Sequence, residues 1–272
     1  MQIKKEIRAG KFYEQACYSA GILKKQPPAQ RSKRKQMQTE AKRLINFIER
    51  KYYLMQLFGV NFKPNRDLFI ELSFAKEPTE KEEKRALERF HRRMNTFFKK
   101  KGKQYRYILV RETHNRDGQP VRQHYHIVCT GTGQLMQEKI IEFWGMGGVN
   151  VQSLRELSDN FEDTCQYLLK EKKPENERSY RCSRNLKRPE EPLRRKIPEN
   201  QCGQLPDGVE LVNRYLGDNG FGRYEIIIGK IVDQKAFDLY WKKAKMDKRR
   251  CDEAANWRRY ARQKQKVKYC KI

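Results

Sequence analysis

Two of the four histidines in this chain are separated by one residue, in His124-Tyr125-His126, and they lie within a short apolar run. In a β-strand, alternate side chains point to the same face, so the two imidazoles would lie about 7 Å apart at Cβ. Imidazole is the most common protein ligand of metal ions. The spacing therefore predicts a strand that carries half of a metal site.

A histidine pair needs at least one further ligand, and two carboxylates are candidates. Glu112 is expected at the end of the preceding strand, where a hairpin would bring it beside the histidines. Glu71 is expected on an earlier strand and could play the same part. Two histidines and one carboxylate with open positions suit Mg²⁺ or Mn²⁺ bound together with a substrate phosphate. The pattern leaves both carboxylates open.

Hydrophobic periodicity predicts that strands and helices alternate around these residues in a compact α+β unit. Thr79 and Glu82 have the spacing of a capping box that opens a helix, and residues 115–118 have the turn chemistry of a hairpin. The strands on either side of that hairpin should be antiparallel neighbours. We expect strands over 68–74, 105–112, 123–129 and 149–154, and helices over 79–100, 136–144 and from Asp159 or Asn160 to about Lys172.

A nucleophile is expected on the last of these helices. At about 100° per residue, Tyr167 falls on the polar side, together with Asp163 and Lys170. Its hydroxyl is therefore not needed to fill the core. A lysine one turn away can hold a DNA phosphate, position the hydroxyl or favour the phenolate. The opposite, apolar stripe consists of Phe161, Cys165, Leu168 and Leu169.

Composition restricts the class of partner. The 272 residues include 61 Lys and Arg against 34 Asp and Glu, a net charge of +27, and only 37% of the residues are hydrophobic. Such an excess favours a polyanion, either nucleic acid or an anionic membrane surface. No apolar run is long enough to span a bilayer and the N-terminus has no signal-peptide pattern, so a cytoplasmic protein is expected. Seven cysteines without a C-x-x-C pair predict reduced thiols.

The two ends of the chain carry most of the positive charge, which suggests four segments. Residues 1–60 are expected to form a basic arm, either DNA-contacting or a solvated tail, and then a helix from Thr39 to about Leu57. Residues 61–175 would form the α+β domain. Residues 176–232 contain a strand pair that either joins the sheet or forms an accessory unit. Residues 233–272 predict a basic helix whose aromatic residues either stack on bases or pack internally.

Three segments resemble, in order and spacing, the motifs of HUH-type rolling-circle replication initiators. They are Leu-Phe-Ile-Glu-Leu-Ser-Phe (68–74), the His-Tyr-His triplet, and Tyr-Leu-Leu-Lys (167–170). The likeness is to the single-tyrosine initiators of bacterial plasmids, phages and integrative elements. Residues 7–13 and 183–189 also look like that bacterial group. The resemblance implies the HUH endonuclease fold, a central antiparallel, ferredoxin- or RRM-like sheet flanked by helices, here with basic helical N- and C-terminal extensions.

The resemblance also implies a role for each site residue. His124 and His126 would be metal ligands, Tyr167 the nucleophile and Lys170 its positioning or charge-stabilising partner. Glu112 looks like the carboxylate that precedes the histidine pair in related initiators. The first motif more often has Thr or Asn where this chain has Glu71, which leaves the third ligand open. DNA contacts are expected from Arg184, Lys187, Arg188, Trp257, Arg258 and Arg259.

The implied activity is a metal-dependent transesterification of single-stranded origin DNA. The tyrosine would form a 5′-phosphotyrosine and leave a free 3′-OH for a DNA polymerase to extend. The chain has no P-loop motif, so no nucleotide cofactor is expected and unwinding would fall to a host helicase or to supercoiling. A relaxase, a transposase or a non-catalytic nucleic-acid-binding protein are the alternatives, although relaxases place the tyrosine before the histidines.

Overall fold

The computed structural model describes residues 2–19, 40–115, 118–132, 134, 136–155, 161–170, 179–218 and 223–269. Side chains are described at these positions except 19, 40–45, 218, 223 and 254–269. None of the helices within these ranges has the length and apolar content that a bilayer crossing needs. The predicted basic arm at residues 24–35 lies outside the described residues.

The chain divides into two compact units. Unit 1 combines Met1–Gln36 with Pro189–Ile272, and unit 2 is Met37–Arg188. Unit 2 contains α1 (Glu40–Asn61), β3 (Leu68–Ser73), α2 (Glu80–Lys100), β4 (Tyr107–His114), β5 (Pro120–Cys129), α3 (Gln137–Trp144), β6 (Val149–Ser153), α4 (Glu162–Leu168) and β7 (Arg181–Cys182). Unit 1 contains β1 (Gln2–Ala9), β2 (Phe12–Ser19), β8 (Leu193–Ile197), a short 3-10 helix (Glu199–Gln201), β9 (Val209–Asp218), β10 (Arg223–Ile231) and α5 (Gln234–Tyr269).

The sheet of unit 2 has the order β6-β3-β5-β4-β7, and its described strand pairs are all antiparallel. This confirms the predicted α+β class and the predicted pairing of β4 with β5. Alternation in β3 buries Leu68, Ile70 and Leu72 on one face, where they pack in a core with residues of α2 and α3. The opposite face of the sheet carries the alternate residues of each strand.

The helix α2 begins as predicted. Thr79 accepts a hydrogen bond from the backbone of Glu82, and the Glu82 side chain accepts one from the backbone of Thr79, which completes the capping box. The predicted apolar stripe is buried at Ala86, Phe90 and Met94, whereas Phe98 rather than Phe97 completes it. The two phenylalanines are adjacent, so a helix of 3.6 residues per turn can bury only one of them on this face.

Unit 1 departs from the expected helical N-terminal extension, because residues 2–19 form the strands β1 and β2. They pair with β8 and with β10 in a sheet of order β8-β1-β2-β10-β9. The predicted strand pair over 208–232 is confirmed as β9 and β10, and it joins this second sheet. The predicted basic C-terminal helix is confirmed as α5, which packs on the sheet through Phe237 and Trp241.

A buried carboxylate lies at the centre of unit 1. Glu6 is fully buried and accepts hydrogen bonds from the Tyr13 hydroxyl at 2.8 Å, from the Arg195 guanidinium at 2.6 Å and from the Tyr240 hydroxyl. These partners come from three separate stretches of the chain. A buried charge is tolerated only where hydrogen bonds and opposite charge replace its hydration, so this network joins β1, β8 and α5. Within the described residues, six of the cysteines are free thiols, as predicted.

His91 should make the stability of the protein depend on pH. Its ring stacks on Tyr107 at 3.9 Å, and burial lowers its pKa to about 4. The unfolded chain, with a pKa near 6.5, binds a proton that the folded protein refuses. The free energy of unfolding should therefore fall between pH 6.5 and about 4, by roughly 1 kcal/mol per pH unit. His91→Gln should weaken this dependence in urea denaturation, whereas replacement of the exposed His114 by Gln should not. Equal pH dependence in all three proteins would contradict the assignment.

Candidate metal centre and tyrosine

Strand register brings a carboxylate to the histidine pair. In the β4–β5 ladder, Glu112 lies directly opposite His124, and His126 follows two residues later on the same face. Tyr125 points to the opposite face, where it is fully buried in the core. The predicted strand-borne pair is therefore present, and the apolar residue between the histidines anchors their strand.

The three side chains converge on one point. One oxygen of Glu112, Oε2, lies 2.9 Å from Nε2 of His126 and 3.3 Å from Nε2 of His124. The ligand atoms of the three residues lie within 4.8 Å of one another. Two ligands about 2.1 Å from one ion, at a right angle, would lie about 3 Å apart. Two imidazole nitrogens and one carboxylate oxygen at these separations could therefore bind a metal ion.

Each histidine is prepared differently for this role. The Nδ1 atom of His124 lies 2.8 Å from the backbone oxygen of Arg122, a contact that directs Nε2 towards Glu112. His126 is almost completely buried, and burial lowers its pKa although Glu112 opposes this effect. A lowered pKa keeps the ring neutral, which metal ligation requires.

The second candidate carboxylate lies outside this group. Glu71 on β3 is directly opposite His126, on the same face of the sheet. Its negative charge is the smallest of the influences on the pKa of His126. Among the described residues, the structure brings Glu112 and not Glu71 together with the two histidines.

Tyr167 lies beside the three residues. Its ring centroid is 5.1 Å from that of His126 and 6.4 Å from that of Phe69, and 44% of the side chain is exposed. The predicted apolar stripe of α4 is buried, as expected for a helix that presents Tyr167 outward. The phenol is thus close to the candidate metal ligands and open to a large substrate.

Lys170 lies beyond the end of α4, not inside it. The helix ends at Leu168 rather than near Lys172, and the backbone N–H of Lys170 donates to the oxygen of Tyr167 at 3.2 Å. Its Nζ lies 2.9 Å from Oε1 of Glu112 and 4.0 Å from the centroid of the Tyr167 ring. Burial opposes its charged form, but hydrogen bonds and charge interactions with Glu112 and Tyr167 outweigh burial and raise its pKa.

The start of α4 depends on contacts that the sequence pattern did not reveal. The predicted caps Asp159 and Asn160 lie outside the described residues, and the helix begins after Phe161, whose backbone is left-handed at φ 62°. Phe161 packs against Phe58 of α1 at 5.5 Å, and Lys51 of α1 lies 2.6 Å from the carboxylate of Glu162. These contacts position the short helix that carries Tyr167. Phe69 was expected only as the outer residue of its strand, and no sequence signal marked its contact with the tyrosine.

The predicted DNA contacts lie apart from the metal centre. Arg184, Lys187 and Arg188 are exposed, and the backbone near them is fixed by hydrogen bonds between Lys187 and Asn61. Trp257, Arg258 and Arg259 lie on α5, but their side chains are outside the described residues.

The two carboxylates should differ in their effect on metal affinity. We expect Glu112→Gln to weaken Mn²⁺ binding by about 100-fold or more, because the amide removes the charged ligand. The matched change Glu71→Gln should retain binding, because this residue only contributes a neighbouring charge. Isothermal titration with Mn²⁺ measures both, and circular dichroism checks that each variant is folded. A larger loss in Glu71→Gln than in Glu112→Gln would contradict the choice of ligand.

Comparison with known proteins adds a family to this geometry. Residues 67–172 match the model of a family described as Replication-associated protein, of the ORF2 type. This stretch contains the two histidines, Glu112, Tyr167 and Lys170. Comparisons with curated proteins and with solved structures gave no match. The family match supports a replication-associated protein.

Proposed function

We propose that this protein starts rolling-circle replication by nicking single-stranded origin DNA and joining itself to the 5′ end. The observation that supports this most is the arrangement around Glu112. Its two oxygens face different partners, with the histidines on Oε2 and Lys170 on Oε1, while Tyr167 contacts both His126 and Lys170. A candidate metal site and an exposed phenol within contact distance have the elements of phosphoryl transfer from DNA to tyrosine.

The reaction exchanges one phosphate ester for another. The Tyr167 oxygen forms a bond to phosphorus, the bond from phosphorus to the 3′ oxygen breaks, and that oxygen leaves as a 3′-OH after taking up a proton. The phenol proton is released to solvent. A divalent ion, Mg²⁺ or Mn²⁺, held by Glu112, His124 and His126 would stabilise charge on the nonbridging phosphate oxygens. No high-energy cofactor is consumed.

Lys170 acts as a charge partner rather than as a base. Its raised pKa keeps the ammonium protonated at neutral pH, so it does not accept the phenol proton. From 4.0 Å over the ring it favours negative charge on the Tyr167 oxygen, and it also lies close enough to attract the DNA phosphate. Its contact with Glu112 limits how far the ammonium can move from the tyrosine.

The covalent ester explains how such an enzyme would serve replication. The free 3′-OH is a primer for a host DNA polymerase, and the phosphotyrosine keeps the bond energy needed to rejoin the strand by the reverse reaction. The match to replication-associated proteins supports this use of the site. A host helicase or supercoiling would supply single-stranded DNA, and the strongly basic chain would attract it.

Two other functions use some of the same features. A relaxase or transposase of a mobile element would form the same phosphotyrosine, but the order of histidines and then tyrosine, together with the family match, favours an initiator. A non-catalytic DNA-binding protein would need only the basic surface. For that class, nothing would be gained from an exposed tyrosine beside Glu112 and the histidines.

A covalent protein–DNA adduct is the expected product. Purified protein with Mn²⁺ and single-stranded fragments of the replicon that carries its gene should give an adduct that survives denaturing electrophoresis. Tyr167→Phe, which removes only the hydroxyl, should abolish the adduct, and a chelator should do the same. Tyr53→Phe is the matched control, since Tyr53 is also an exposed tyrosine of unit 2 and should leave the yield unchanged.

Two results would contradict the proposal in different ways. An adduct that persists in Tyr167→Phe would reject the nucleophile but keep the chemistry. Tight DNA binding without an adduct on any fragment would favour the non-catalytic function.

A further inference from the structure

Three polar side chains lie on the same sheet face as the candidate metal centre, towards the β6 edge. They are Glu71 on β3 and Asn150 and Gln152 on β6. Val151, between the two β6 residues, is buried in the core opposite Ile70. Alternation therefore directs Asn150 and Gln152 to the face that carries the histidines.

Strand register puts these side chains in a line with His126. Glu71 lies directly opposite His126 on β5 and directly opposite Asn150 on β6. With neighbouring strands about 4.8 Å apart, Asn150 is about 10 Å from His126. DNA whose scissile phosphate lay at the metal centre would place a neighbouring base over Glu71 and Asn150.

This line of side chains is accessible and has unused hydrogen-bonding capacity. Asn150 and Gln152 are exposed and Glu71 is half-buried. Within the described ranges, Asn150 and Gln152 have no side-chain hydrogen bond, and Glu71 has no ion pair with a basic side chain. An exposed amide and a carboxylate without a cationic partner, beside a candidate DNA site, are available to a ligand.

The charge of Glu71 indicates which part of a nucleotide it would contact. A carboxylate repels a phosphate and can only accept hydrogen bonds. Adenine, cytosine and guanine each carry an exocyclic amino group that can donate to it, and single-stranded bases expose these edges. Thymine has no amino group, and its carbonyl oxygens would face the carboxylate. The Asn150 amide can both donate and accept, so it complements a base edge of this kind.

We propose that Glu71 and Asn150 determine sequence specificity by contacting a base next to the scissile phosphate, and that Glu71 excludes thymine there. This rests on the proposed function, because the metal centre and Tyr167 would fix the position of the DNA. It also gives Glu71 a role outside metal ligation. The contact is made to the edge of the base, and it contributes to DNA binding without contacting the reacting phosphate.

The test is a binding selection that does not require cleavage. The full-length protein is mixed with fully randomised single-stranded DNA in the presence of chelator, and the bound molecules are sequenced. Wild-type protein should deplete thymine at one position by at least about fivefold. Glu71→Gln should restore thymine at that position, because the glutamine amide can donate to a thymine carbonyl. Asn150→Ala should weaken the base preference at the same or the adjoining position.

A matched control and a second readout separate the outcomes. Glu138→Gln changes an exposed glutamate on α3, which packs on the other face of the sheet, and should leave the profile as in the wild type. An unchanged profile in Glu71→Gln, or a wild-type protein that selects no base at any position, would overturn the proposal. Adduct formation with Mn²⁺ is scored separately, so a protein that selects bases but forms no adduct would reject the proposed function and keep the base contact.

Discussion

The whole site depends on the two-sided contact of one buried carboxylate. Glu112 is only 4% exposed, and its two oxygens lie within 3.3 Å of both histidines and within 2.9 Å of Lys170. A buried negative charge must be compensated, so removing any partner exposes the others to an uncompensated charge. Glu112 therefore links residues of β4 and β5 to the segment after α4. Through Lys170, it also limits where Tyr167 can lie.

Local patterns in the sequence account for most of unit 2. Alternation in residues 68–74, the capping box at Thr79 and the hairpin at 115–118 each have a local physical cause, and the structure confirms the elements that they predict. The histidine pair was predictable for the same reason, since a period of two fixes the face of each side chain. A single hairpin then brings Glu112 opposite His124.

Contacts between distant segments were not predictable in this way. The N-terminal strands pair with β8 and β10, about 200 residues away along the chain, and no local pattern encodes such a partner. The choice between Glu112 and Glu71 depended on side-chain direction, because both lie opposite a histidine on the same face. Helical periodicity placed Lys170 inside a helix, but α4 ends at Leu168, and the lysine reaches Glu112 from the turn that follows.

The most direct test of the account is to identify the amino acid that carries DNA after the reaction. Tryptic cleavage after Arg155 and Lys170 releases residues 156–170, a peptide with Tyr167 as its one tyrosine. After reaction with Mn²⁺ and nuclease trimming, mass spectrometry should detect this peptide with a 5′-linked nucleotide on Tyr167. A nucleotide on any other residue, or an unmodified peptide from a protein that has cleaved its DNA, would contradict the central claim.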